Sequence, residues 1–157
     1  MGTRSRIAVM HGDKVKSVYC HWDGYLSNNG RILQEHYDST KANNLVALGD
    51  LSSLRPEIGE KHAFSHFGTE IDSATYDRLY GNMTTFYGRD RGETGNEFIV
   101  AHTFEEFLEQ CYNCGAEYYY IMKDGVWYCG DTYGSTPLSN NLTLLSEAFT
   151  IEEKETA

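Results

Sequence analysis

Tyr118-Tyr119-Tyr120-Ile121-Met122, Lys123-Asp124-Gly125 and Val126-Trp127-Tyr128-Cys129 form the stretch that most constrains the fold of this chain. Aromatic and β-branched residues flank an Asp-Gly pair, the strongest short-range signal for an antiparallel hairpin. A second hairpin reads from Arg6 to Met10, through His11-Gly12-Asp13-Lys14, and out along Val15 to Trp22. In its second strand Val18, Cys20 and Trp22 share one face, and Ser17, Tyr19 and His21 share the other. The two hairpins echo each other from an apolar strand through Met and an Asp turn to Tyr-Cys. That echo is too short to count as a repeat.

Helices fill the space between them. Gly30 opens a short one whose Ile32, Leu33, His36 and Tyr37 form a stripe. Ser39 caps the next, Thr40 to Leu48, with Ala42, Leu45 and Val46 inward. Residues 72–80 read as helical with Tyr76, Leu79 and Tyr80 inward, and 98–101 as a short strand. Thr103 followed by Glu106 is a capping box by spacing. Phe104, Phe107, Leu108 and Cys111 then form a buried face that ends at Gly115. A last helix, 141–149, carries Leu142, Leu145 and Phe149. This order predicts a single α+β domain over 1–150, its mostly antiparallel sheet built from two hairpins with helices packed on one face. Residues 151–157 are expected to be an acidic tail that frays.

Charge divides the chain. Residues 1–50 set six cations against five acids, whereas from residue 93 onward Lys123 and Lys154 face twelve acids. The net charge of −10 therefore lies in the C-terminal part. Such a field repels nucleic acid and attracts a protein with a basic surface, so no direct nucleic-acid binding is expected. Glu105, Glu106, Glu109 and Glu117, with Tyr118 and Tyr120, are the candidate partner-binding residues, since tyrosine among acids is typical of protein-binding surfaces. No apolar run approaches the roughly 18–20 residues of a membrane span. The first residues lack a secretory pattern, and Arg6 stands where a myristoylation signal wants Ser or Thr. A cytoplasmic protein without membrane contact is the expectation, and four reduced cysteines fit it.

Several constellations invite chemistry. Cys111-Tyr112-Asn113-Cys114 has C-x-x-C spacing, with Cys129 and Cys20 as distant partners, but no second pair completes a zinc site. The pair also ends a helix, where the dipole opposes a thiolate. His62 and His66 are four apart, yet Ala63 stands where a zinc protease needs glutamate. Nucleophile elbows and phosphate loops are absent. No metal, cofactor or catalytic residue is assigned. Arg89 and Arg91, flanking Asp90 among glycines, suit a carboxylate or phosphate. A ligand pocket, if one exists, is expected where His21, Asp23, Tyr25 and Asn28 meet Arg89 and Arg91.

"GTRSRIAV", "YCHWDGYLSNNG", "LGDLSSL" and "YGNMTTFYGRDRGETG" together resemble a family of small, mostly uncharacterised proteins of tailed bacteriophages and prophages. Leu26 replaces the proline common after "HWDGY". The resemblance carries no known chemistry. It implies an accessory protein that binds and inhibits a host factor, in takeover of the host or evasion of its defences, inside the host cytoplasm. The alternative is an enzyme or sponge for a nucleotide-like anionic small molecule.

Overall fold

A computed structural model describes residues 2–139 and 142–156. Both hairpins are present and are joined along their first strands. β1 (Ser5–His11) pairs antiparallel with β2 (Lys14–Cys20), and β6 (Tyr118–Lys123) with β7 (Val126–Asp131). At the second turn Asp124 and Gly125 both adopt positive φ, 52° and 80°, the geometry that follows the right-handed twist of a hairpin. β1 runs parallel to β6, with Ser5 opposite Tyr118, and this pairing makes one sheet of the two hairpins.

Short strands extend it. β3 (Leu51–Ser53) lies against the end of β2, and β4 (Thr85–Phe86) against β3. β5 (Ile99–Ala101) pairs with the start of β2, and β8 (Thr143–Leu144) with β7. The described residues thus place eight strands in one mixed, mostly antiparallel sheet, an α+β fold.

The sheet is apolar on both sides, so both sides must be covered. Ile7, Val18, Cys20, Tyr120, Met122 and Trp127 face a core completed by α1 (Arg31–His36), α2 (Ser39–Ala47) and α6 (Leu145–Thr156). Ala8, Val15, Tyr119 and Ile121 face a second core completed by Phe107 and Cys111 of α5 (Phe104–Cys114). Helices therefore lie on both faces rather than one, because alternate residues of β1 and β6 are apolar in both directions.

Local signals explain the element ends. Thr103 accepts from the Glu106 amide at 3.1 Å, and Glu106 accepts from the His102 amide at 3.0 Å, so the box closes one residue further back than its simplest form. Asp38 rather than Ser39 caps α2, accepting from the Lys41 amide. α3 (Ser73–Tyr80) has no fully buried residue, and Leu79, expected inward, is exposed. His36, placed in the stripe of α1, is exposed as well. α6 begins only after β8 and runs on to Thr156, so most of the expected acidic tail is helical. Asn141, the expected start of that helix, lies outside the described residues.

Candidate functional site

β2 ends at Cys20, and Asp23 turns the chain with φ 57°. Beyond the strand, Trp22 leaves the face it was expected to share with Val18 and Cys20, and is 43% exposed. Its indole meets the His21 ring edge-on at 4.7 Å. The loop that follows folds on itself. Asn28 donates to the Asp23 carbonyl at 3.2 Å, and buried Asn29 donates to Ser5 Oγ and Cys20 Sγ. Gly24 lies so close to β1 that a Cβ would sit 2.7 Å from that of Ser5, so only glycine fits. Asp23 and Asn28 thus shape this loop, and Tyr25 projects from it.

His21 points away from them, to the opposite side of the sheet. Its Nδ1 lies 2.8 Å from the hydroxyl of Tyr19, two residues back on the same face. The Tyr19 amide in turn donates to Asp50 Oδ1 at 2.8 Å. Burial pushes the Tyr19 phenol up to about 12 and raises the Asp50 carboxyl above its ordinary range. The amide of Tyr87 donates to the Asp50 carbonyl, so the segment following β4 borders the same place. Arg4 is close enough for its positive charge to favour the Tyr19 phenolate. Tyr19, His21, Asp50, Tyr87 and Arg4 form the polar cluster on this side. The sequence put Tyr19 on the face of His21 but could not bring in Asp50 and Tyr87, which the pairing of β3 with β2 and of β4 with β3 carries there from far along the chain.

The two arginines do not join this cluster. α4 (Tyr87–Arg91) winds the expected loop into a helical turn that ends at Gly92, φ 74°. Arg89 forms a fork with Asp90, Nε to Oδ1 at 3.0 Å and Nη2 to Oδ2 at 3.2 Å, and also donates to the Thr84 and Gly59 carbonyls. Its donors serve the fold. Arg91 is exposed, pairs with Glu93 at 3.1 Å and lies 4.9 Å over the Phe64 ring. Neither arginine lines a cavity together with His21, Asp23, Tyr25 or Asn28 among those described.

The expected partner-binding residues also separate. Glu105 and Glu109 are exposed on α5, whereas Glu106 closes the cap and Glu117 accepts from the Arg4 amide. Tyr120 is fully buried and donates to the Gly24 carbonyl, so it is not a contact residue. Tyr118 is half-buried against Tyr133. The reason is topological: β6 is an inner strand of a sheet covered on both faces. Tyr112, not singled out by sequence, is 60% exposed and falls in line with Glu105 and Glu109 on α5.

The sheet divides the cysteines. Cys20 and Cys129 lie in one core and Cys111 in the other, and burial pushes their thiols up to about 11, 12 and 12. Four thiols on opposite sides of a sheet cannot converge on one tetrahedral ion. Among the described residues, no three His, Cys, Asp or Glu side chains gather as metal ligands. Among the same residues, no helix is long and apolar enough to cross a membrane. No protein-family model, curated protein or solved structure matches this chain.

Proposed function

We propose that this is a tailed-phage accessory protein that binds and inhibits a host protein of basic surface in the host cytoplasm, without catalysis. The observation that supports it is the outward stripe of α5. Glu105, Glu109 and Tyr112 recur at helical spacing, two exposed carboxylates and an exposed aromatic ring. Charge complementarity sets the on-rate and its salt dependence, and the aromatic ring supplies contact energy. The experiment is a tagged pull-down from host lysate at low and high salt, read by mass spectrometry. One dominant partner, lost at high salt and lost with Glu105→Lys/Glu109→Lys, is the expected result. Capture of the same proteins by the wild type and the double variant would overturn the reading.

The Tyr19–His21 bond favours a second reading, a binding site for a nucleotide-like anion. A Tyr19 hydroxyl donating to Nδ1 leaves the Nε2–H of His21 as an outward donor, with Arg4 as the cation nearby. Nucleotide titration of the wild type against His21→Ala tests it, and equal responses would remove it.

A further inference from the structure

A separate cavity of about 180 Å³ lies beside α3 and is lined by Arg55, Phe64, Tyr76, Tyr80, Asp77 and Thr85, among others. We propose that it is a binding site for a small aromatic carboxylate, held by its ring between Phe64, Tyr76 and Tyr80 and by its charge at Arg55. The site lies apart from the α5 stripe and does not rest on the function proposed above.

Side-chain contacts tie the walls to one another. Tyr80 stacks on the buried His62 ring at 5.1 Å, and Tyr76 meets Tyr80 edge-on at 5.2 Å. The Tyr76 hydroxyl donates to the Ala63 and Phe64 carbonyls, which ties the 62–66 loop to α3. Beneath them, His62 Nδ1 lies 2.7 Å from the Glu60 carbonyl, which can only accept. Nδ1 therefore carries a proton, and Nε2 lies 3.4 Å from the Thr85 hydroxyl. The His62 amide is bound to Asp90, itself held by Arg89. A floor fixed this far back holds its shape before any ligand arrives.

Arg55 is what gives the cavity a preference. It is half-buried, and among the described residues its side chain makes one hydrogen bond, from Nη1 to the Leu54 carbonyl at 3.1 Å. Among the described residues no carboxylate lies within ion-pair distance of it. A guanidinium offers five donors in a planar fork that matches a carboxylate, and most of this fork is unused. The volume is below the roughly 300–1,000 Å³ of pockets that hold drug-sized ligands, so one ring with one substituent is the fitting size. Asp77 on the lining opposes an anion and makes a second handle on the charge.

Titration of the isotope-labelled full chain with benzoate, followed by amide chemical shifts, tests the proposal. Saturable shifts at Ser65, Tyr80 and Thr85 are expected, with a Kd on the order of 1 mM for so small a ligand. Benzyl alcohol, of similar shape but neutral, should bind at least tenfold more weakly. Arg55→Gln should lose benzoate to the same degree, and Asp77→Asn should bind it a few-fold more tightly. Absence of saturable shifts at these amides would overturn the site, and equal binding of benzyl alcohol by the wild type would overturn the role of Arg55. The benzyl alcohol arm uses the native chain and decides the matter even if a variant misfolds.

Discussion

Asp90 exposes none of its side chain, yet accepts from the amides of His62 and Phe86 and from two nitrogens of Arg89. Removing a carboxylate that serves this many buried donors strands every one of them. Asp90→Ala should therefore cost about 3–5 kcal/mol in urea denaturation, the range for breaking a buried pair. Arg89→Ala should destabilise as well, with any loss of ligand binding following from the fold. Asp50 is the opposite case. Among the described residues its carboxylate accepts one hydrogen bond, from the Tyr19 amide, and burial raises it above the ordinary value. A folded-state acid with a raised pKa binds its proton more tightly than the unfolded chain does. Its charge thus lowers stability across the neutral range, and the penalty fades as pH falls through the raised value to the unfolded one, about 3.9. Asp50→Asn keeps an acceptor for Tyr19 and removes the charge. The variant should be modestly more stable than wild type at about pH 7, with the difference closing near about pH 4. A difference that grows toward acid would show that the hydrogen bond outweighs the burial.

At the scale of elements, α5 carries the second core and the proposed interaction stripe on opposite sides. Its position is set by Phe107 and Cys111, and its start by the Thr103 cap. Thr103→Ala should lower stability by about 1 kcal/mol, read from the denaturation midpoint at unchanged slope. Glu105→Lys/Glu109→Lys alters exposed positions and should leave that midpoint nearly in place, so a binding defect there is not a folding defect. The capping box, the Asp-Gly turn and the apolar faces of α2 and α5 were legible in the sequence because each depends on residues a few positions apart. Trp22 was misplaced because alternation was carried past Cys20, and Asp23 ends the strand by a left-handed turn that the spacing of apolar residues does not mark. Pairing of the loop arginines with nearby acids was legible from Asp90 and Glu93 beside them, but nothing local shows that Asp90 is buried and that the Gly59 and Thr84 carbonyls close around Arg89. For the same reason the candidate pocket residues of the 19–28 and 87–91 segments do not converge. The strand β3 does bring the two segments to its opposite edges, with His21 on one side and Phe86 on the other.

In the whole molecule, everything depends on β1. It is flanked by β2 of its own hairpin and by β6, contributed from the far end of the chain, and its Ile7 and Ala8 enter opposite cores. The hydrophobic pattern announced two hairpins, but no local pattern could announce that their first strands run side by side in parallel. Among the strand pairings of the described residues it spans the longest stretch of chain, so its loop-closure entropy must be met by contacts on both faces. If it welds the hairpins into one cooperative unit, neither should melt without the other. The two tryptophans report separately, Trp22 beyond the end of β2 and Trp127 within β7. In Trp22→Phe and Trp127→Phe variants, the remaining indole should give coincident urea transitions. Adding Ile7→Ala removes a fully buried side chain at the joint and should cost about 2–5 kcal/mol, shifting both transitions together. Ile99→Ala on β5, where the side chain is 40% exposed, should cost far less. Transitions that separate, or an Ile7→Ala shift confined to the Trp22 signal, would mean that the hairpins are independent folding units and that the β1–β6 contact follows their folding rather than directing it.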